Sequence, residues 1–100
     1  MAKLTATMAD TGSFAVAGDF DAVATQKLKG TLEKLAATHE ADLILDLTAV
    51  DFIDSSGIGA IAFLFKRMRA RGYRLFLKGV HGQPRKVITM VGIDRTVSLI

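Results

Sequence analysis

The chain has 100 residues, of which 50% are hydrophobic, so it can form one domain with a single modest core but not two domains. It contains no cysteine, which excludes disulfide bonds and thiolate metal sites and is compatible with a reducing compartment. The formal net charge of +3 is unevenly placed, because residues 1–50 hold four Lys/Arg and seven Asp/Glu whereas residues 51–100 hold nine and three.

The first part of the chain predicts a β-hairpin followed by a helix. Residues 4–8 alternate between apolar and polar side chains, and residues 14–16 resume that alternation after turn-forming residues at positions 10–12. Asp19 or Asp21 can then cap a helix. The apolar face of this helix contains Ala24, Leu28, Thr31, Leu32 and Leu35.

The remainder of the chain predicts alternating strands and helices. Residues 43–47 form a nearly unbroken apolar run typical of a buried strand, which we expect to end near Thr48. Further on we expect a helix at 55–70, a strand at 74–78, a helix with Pro84 in its first turn, and an edge strand within 96–100. In that third helix Val87, Ile88 and Val91 should face inward. The order β-β-α-β-α-β-α-β predicts a single α/β domain over residues 1–100, with a mixed sheet of four or five strands and about three helices largely on one side.

The helix predicted at residues 55–70 has two different faces. Its core-facing stripe is predicted to contain Ile58, Ile61, Ala62, Phe65 and Met68. A second set of small and apolar residues lies on the opposite side, and it comprises Ser56, Gly59, Ala60, Phe63 and Arg67. Small side chains allow another surface to approach the backbone, so we interpret this set as a partner-binding face with Phe63 as its anchor. The alternative is that Phe63 is covered by the chain itself or is an isolated exposed residue.

The start of the same helix carries the chain's only plausible chemical site. Asp54, Ser55 and Ser56 have side-chain oxygens that can accept hydrogen bonds from unpaired N–H groups at a helix N-terminus. A phosphate on a serine there would meet free N–H donors and would add roughly −1.5 to −2 charges. The plainer alternative is that these three residues only cap the helix.

Three stretches of the chain follow one recognisable pattern. The central one reads DLTAVDFIDSSGIGAI, within residues 43–63, and resembles the signature of the STAS domains of bacterial anti-sigma factor antagonists. An earlier element, Gly18-Asp19-Phe20-Asp21, and a later one, Val91-Gly92-Ile93-Asp94-Arg95, match in the expected order, so the resemblance covers nearly the whole chain.

The resemblance implies a binding module that is switched by phosphorylation. In the family the first serine after the aspartate is phosphorylated, which corresponds here to Ser55, with Asp21, Asp54, Ser56 and Gly57 as its neighbours. The unmodified protein would bind an anti-sigma factor that is itself a serine kinase, and would thereby release the sigma factor. Phosphorylation would end that interaction and a PPM-type phosphatase would restore it. Under this hypothesis the protein is not an enzyme and needs no cofactor.

A second function class remains open from the sequence. The same helix could dock constitutively in a STAS accessory subunit of a transport system, or in a scaffold subunit, with Ser55 acting only as a cap. The acceptor serine in the D-S-S-G segment favours the switch. The sequence does not decide the oligomeric state.

Catalytic chemistry is not predicted. Ser55 or Ser56 with His39 or His81 and an aspartate would supply the residue types of a hydrolase triad. Neither serine lies in a G-x-S-x-G elbow, and the two histidines fall near the end of the first helix and in the loop before the third. The protein is therefore expected to be a substrate of other enzymes.

A metal site is also not predicted, and direct nucleotide binding is only a weak alternative. Asp19, Asp21 and Asp54 would have to converge from two loops to bind a metal, and carboxylates at helix starts are more often caps. Gly57 and Gly59 follow a strand, but the segment lacks the G-K-[ST] or G-x-G-x-x-G pattern of a phosphate-binding loop.

The distribution of charge and hydropathy bears on partners and location. The basic residues of the second half are not interleaved with aromatic residues, so we do not expect nucleic-acid binding. No basic segment precedes a long apolar run, and no stretch of about 18 uncharged apolar residues occurs. We therefore expect a cytoplasmic protein that does not insert into membranes.

Overall fold

The computed structural model describes residues 5–8 and 12–100. The chain order is β1 (Thr5–Met8), β2 (Ser13–Phe20), α1 (Ala22–Thr38), β3 (Leu43–Ile53), α2 (Ser55–Ala70), β4 (Leu75–Lys78), α3 (Gly82–Val91), a 3₁₀ turn (Ile93–Arg95) and β5 (Ser98–Leu99). This order confirms the predicted α/β domain.

The five strands form one sheet in the order β1-β2-β3-β4-β5. β1 and β2 pair antiparallel, from Thr5 opposite Ala17 to Met8 opposite Phe14, which confirms the hairpin. Leu4, Asp10 and Thr11, which belong to the hairpin prediction, lie outside the described residues. Each later pair of neighbouring strands is parallel, so a helix crosses over between them, as parallel pairing requires.

Burial along β3 shows that the helices cover one face of the sheet. Leu43, Leu45 and Leu47 are fully buried, whereas Ile44 and Asp46, which point to the other face, are partly exposed. The core lies between the covered face and the helices. This arrangement confirms the predicted mixed sheet with helices largely on one side.

The prediction that β3 ends near Thr48 is wrong, because the strand continues to Ile53. Its pairing with β2 continues through Ala49 and Phe52 to Ile53, with two register shifts that interrupt the alternation of buried and exposed residues. On the other side of β3 the Gln83 side chain replaces a strand, because its Oε1 accepts from the Ile53 N–H at 2.9 Å and its Nε2 donates to the Ile53 carbonyl at 2.8 Å. The apolar run on which the prediction was based stops at Leu47, whereas the strand itself continues through residues that alternate irregularly between buried and exposed.

The core stripe of α2 is also rotated from the predicted one. Its buried residues are Gly57, Ala60, Ile61, Leu64 and Met68, while Ile58, Ala62 and Phe65 are only partly buried. The cause lies at Gly57, where a Cβ would stand 2.5 Å from the Phe20 carbonyl oxygen and 2.6 Å from Ile53 Cγ1. The helix thus faces the sheet through bare backbone at its first turn, which a pattern of large apolar side chains cannot reveal.

The C-terminal region matches the prediction with two corrections. α3 buries Pro84 and Ile88, but Val91 is 54% exposed and does not face inward, because it is the last residue of α3 and Gly92 then turns the chain with φ 84°. The edge strand within residues 96–100 is limited to β5, Ser98–Leu99, which pairs with Phe76 and Leu77 of β4.

Candidate functional site

The site lies where two parallel strands end side by side and two helices begin. Phe20 and Ile53, the last residues of β2 and β3, are opposite each other in the sheet. Each is followed by an aspartate that caps the next helix. Asp21 Oδ1 accepts from the Ala24 N–H at 2.9 Å, and Asp54 Oδ1 accepts from the Ser56 and Gly57 N–H groups at 2.8 and 3.2 Å. Parallel pairing therefore places both helix N-termini together.

The Asp54 carboxylate also connects the two helices. Its second oxygen, Oδ2, accepts from the backbone N–H of Ala22, the first residue of α1, at 3.2 Å. The backbone N–H of Asp54 donates to the Phe20 carbonyl at 3.3 Å. Of the two aspartates predicted as alternative caps for α1, Asp21 is the one that caps it.

Ser55 is the first residue of α2 and is exposed, whereas Ser56 is partly buried and Gly57 is buried. Three of the N–H donors expected around a phosphoserine are not free, because those of Ser56 and Gly57 donate to Asp54 Oδ1 and that of Ile58 donates to the Asp54 carbonyl at 3.1 Å. Because Ser55 is exposed, a group on its hydroxyl would lie at the surface of this corner, near the capping aspartates Asp21 and Asp54.

The residues predicted as a partner-binding face line a groove between α1 and α2. Ser56, Gly59, Ala60 and Phe63 form one wall of this cavity of about 460 Å³. The opposite wall comes from α1 and comprises Ala22, Thr25, Gln26, Lys29, Leu32 and Glu33. We call this surface, together with Arg67, the α1–α2 groove. Ser56 belongs to it, so the groove begins next to the exposed Ser55.

Arg67 lies in an adjoining cavity of about 610 Å³, which shares Glu33 and Phe63 with the first one. Its guanidinium stands over the Phe63 ring, with 5.3 Å between the guanidinium carbon and the ring centroid. All five predicted residues therefore follow one side of α2. That side faces α1 and does not point away from the core, and Ala60, only 7% exposed, forms part of the groove floor instead of an exposed surface. The difference follows from the rotation of α2 that Gly57 permits.

Local patterns in the sequence did not indicate the contribution of α1 to this site. The packing of α1 on α2 is set by residues far apart in the chain, such as Arg71, whose Nη1 donates to the Ala36 and His39 carbonyls at 2.9 and 2.7 Å. The only signal in the sequence for this contribution was the clustering of Thr, Gln and Lys on one side of α1. The two histidines form hydrogen bonds away from Ser55 and Ser56. His39 Nε2 lies 3.3 Å from the Asp42 carbonyl oxygen, and His81 Nε2 lies 2.9 Å from the Thr48 carbonyl oxygen.

Among the described residues, no helix combines the length and the apolar character that a membrane crossing requires.

A curated relative supports the family resemblance at the level of sequence. The anti-sigma-B factor antagonist of Listeria monocytogenes is 31% identical over 84 residues, which span 84% of this chain and 74% of the relative.

Solved structures share the fold. SpoIIAA, an anti-sigma factor antagonist, superimposes in its unphosphorylated form with a TM-score of 0.74 at 17% identity, covering 97% of this chain and 86% of the other. Its phosphorylated form, from Bacillus, gives 0.72 at 18% identity, covering 97% and 90%. A sulfate transporter family protein of Wolinella succinogenes gives 0.71 at 24% identity, covering 86% and 70%. Residues 5–100 match the STAS domain family, so the chain is a member of that family.

Proposed function

We propose that this protein is an anti-sigma factor antagonist whose binding is switched by phosphorylation of Ser55. The observation that carries the proposal is the exposed position of Ser55 at the first residue of α2, directly beside the α1–α2 groove. The relatives named anti-sigma-B factor antagonist support the same class of function. In its unmodified form the protein binds an anti-sigma factor that is a serine kinase, and the sigma factor is released.

The hydrogen bonds around Ser55 support a switch that acts through the charge of the phosphate. Asp54 already occupies the N–H groups of Ser56 and Gly57, so the phosphate is not drawn into the helix end. It remains at the surface, where it adds roughly −1.5 to −2 charges beside the carboxylates of Asp54 and Asp21. A partner that covers this corner must then desolvate the added charge and meets a stronger negative field. Binding weakens without a change of fold.

The contact surface for the partner is the side of α2 along the α1–α2 groove. Gly59 contributes no side chain, and nothing lies within 4 Å of where its Cβ would be, so a partner side chain can approach the helix backbone there. Phe63 and the guanidinium over its ring supply apolar and cationic contacts at the far end. Ser56, Gly59, Ala60, Phe63 and Arg67 form this surface.

In this function the protein performs no catalysis and holds no cofactor or metal. The kinase partner supplies ATP, and a PPM-type serine phosphatase removes the phosphate. With these partners the protein acts in the cytoplasm. Neither nucleic acid nor membrane insertion is needed for the switch.

Phosphotransfer from the cognate kinase tests the proposal. Purified protein, Ser55→Ala and Ser56→Ala are incubated with kinase and ATP, and fragment-ion mass spectrometry locates the phosphate. We expect a single phosphate on Ser55 in the wild type and Ser56→Ala, and none in Ser55→Ala. Titration calorimetry should then give weaker binding of the phosphorylated protein to the kinase.

Two results would contradict the proposal. Phosphate mainly on Ser56 would show that the acceptor is misassigned. Equal affinity of the phosphorylated and unmodified proteins would favour constitutive docking, as in an accessory subunit of a transport system or a scaffold, with Ser55 only at a helix start.

A further inference from the structure

A second surface, which we call the arginine groove, lies at the end of α2 opposite Ser55. Arg69 near the end of α2, Arg74 just before β4 and Arg95 in the 3₁₀ turn before β5 line a cavity of about 390 Å³. At a rise of about 1.5 Å per residue, Arg69 lies about 21 Å along the helix axis from Ser55. The groove is therefore separate from the phosphorylation site.

No carboxylate lines this groove. That of Asp42 is hydrogen-bonded to Arg74, but its Oδ1 accepts from the backbone N–H of Arg74 at 2.9 Å and not from its guanidinium. Within residues 12–100, the only basic and acidic side chains within 4.0 Å of each other are those of His81 and Asp51, with 3.8 Å between Nε2 and Oδ1. All three arginines are exposed. Three guanidinium groups around one cavity repel each other, and an anion bound among them relieves that repulsion.

The floor of the groove is apolar. Phe65 and Tyr73 are partly buried and Leu75 is 4% exposed. The chain's own guanidiniums already stand over both rings, that of Arg69 at 5.8 Å from the Phe65 centroid and that of Arg71 at 5.2 Å from the Tyr73 centroid. Bases of a nucleic acid stack on open ring faces, so this arrangement favours a different anion.

We propose that the arginine groove binds an acidic peptide segment of a partner protein. Carboxylates of the segment contact Arg69, Arg74 and Arg95. Arginine suits carboxylates because its planar fork can donate two parallel hydrogen bonds. Since the groove lies away from Ser55, the segment and the kinase can be bound together. This assigns a role to the basic second half of the chain that the switch itself does not need.

Binding of short fluorescent peptides to the full chain tests this inference. The probes are a peptide of Glu with interspersed Leu and Phe, the same composition with Lys replacing Glu, and a single-stranded oligonucleotide of equal negative charge. The double variant Arg69→Gln/Arg95→Gln is compared with Arg85→Gln/Lys86→Gln, which removes the same charge from the exposed surface of α3. Thermal melts verify that each variant is folded, and Arg74→Gln serves if the double variant is not.

We expect the acidic peptide to bind and the basic one not to bind, with affinity that falls as salt is raised. The groove variant should lose affinity by about tenfold and the α3 variant should change little. Three results would overturn the inference: no binding of the acidic peptide at low salt, equal losses in the two double variants, or tighter binding of the oligonucleotide than of the peptide. Unchanged phosphorylation of Ser55 in the groove variant would show that the proposed switch is independent.

Discussion

Asp54 and Ala22 are joined by a hydrogen bond between the Asp54 carboxylate and the Ala22 backbone N–H, although they belong to different helices. The same carboxylate caps its own helix through Ser56 and Gly57. One side chain therefore fixes the relative position of both helix starts, and with it the place of Ser55.

Replacing Asp54 should destabilise the protein more than an ordinary cap substitution does. Asp54→Ala removes three accepted hydrogen bonds, and the loss of a cap alone costs about 1–2 kcal/mol in the free energy of unfolding. Asp54→Asn keeps one acceptor oxygen and should lose less. Urea unfolding measures both, with Glu40→Ala as the control that removes one exposed negative charge. Equal stability of Asp54→Ala and the control would refute the linking role.

Arg71 should act as the matching link at the other ends of the two helices. Its Nη1 donates to the carbonyls of Ala36 and His39 at the C-terminus of α1. Arg71→Met should lower the free energy of unfolding by about 1–2 kcal/mol and speed amide exchange in the last turn of α1, because those carbonyls lose a charged donor. Arg85→Met, on the exposed side of α3, is the matched control. If amide exchange in α1 is the same in both variants, Arg71 does not hold the helix end.

Gly57 and Gly59 should respond in opposite ways to the same substitution. An added Cβ at Gly57 would lie 2.5 Å from the Phe20 carbonyl oxygen, and the main chain cannot move aside without disturbing the sheet. Gly57→Ala should therefore lower the free energy of unfolding by about 1–3 kcal/mol. At Gly59 nothing lies within 4 Å, so Gly59→Ala should gain up to about 1 kcal/mol from helix propensity. Thermal and urea unfolding of the pair decide this. A stable Gly57→Ala would mean that α2 does not approach the sheet as closely as described.

These contacts indicate which features of the fold could be predicted from the sequence. Strand and helix order depends on local periodicity, and the oxygen-bearing residues before α2 indicated a helix start, so both were predicted. The bond from Asp54 to Ala22 and that from Arg71 to His39 join residues more than 30 positions apart, and no local pattern encodes them. The core stripe of α2 was assigned from the hydropathy of side chains, whereas Gly57 packs on Phe20 and Ile53 through its backbone, so the assignment was wrong. Ala60 was consequently predicted to be exposed.

Asp46 offers a test of local electrostatics on the uncovered face of the sheet. The Thr48 hydroxyl donates to its Oδ1 at 2.6 Å and is the main reason that the pKa of Asp46 lies below its ordinary 3.8. Burial opposes this as the second-largest effect, and the Thr48 N–H and Lys78 lower the pKa further. A depressed folded pKa contributes stability that is present above the unfolded pKa and is lost as the pH falls through the folded value, below 3.8.

An NMR titration of the Asp46 carboxyl group should therefore give a pKa below 3.8 in the wild type and a higher one in Thr48→Val. The control is the carboxyl of another aspartate in the same spectra, followed in both proteins. If the pKa of Asp46 is the same in Thr48→Val as in the wild type, the Thr48 hydroxyl does not stabilise the ionised carboxylate.

Substitutions of Phe63 and Phe65, which lie on the same helix, can distinguish an effect on partner binding from an effect on stability. Both rings are partly buried against the edge of the core, and each lies under a guanidinium, of Arg67 at 5.3 Å and of Arg69 at 5.8 Å. Only Phe63 lines the α1–α2 groove. Phe63→Ala should therefore weaken binding to the anti-sigma factor by about 1–3 kcal/mol, because it removes an aromatic anchor from the proposed contact.

Phe65→Ala is the matched control, since it deletes the same ring from an equivalent environment on the other side of α2. Its loss of unfolding free energy should be similar, but its affinity for the anti-sigma factor should stay near that of the wild type. Titration calorimetry paired with thermal melts makes the comparison. Ser55→Asp, which adds one negative charge at the proposed phosphorylation site, should weaken binding with little change in melting temperature. If the two alanine variants lose affinity equally, the anti-sigma factor does not bind along the α1–α2 groove.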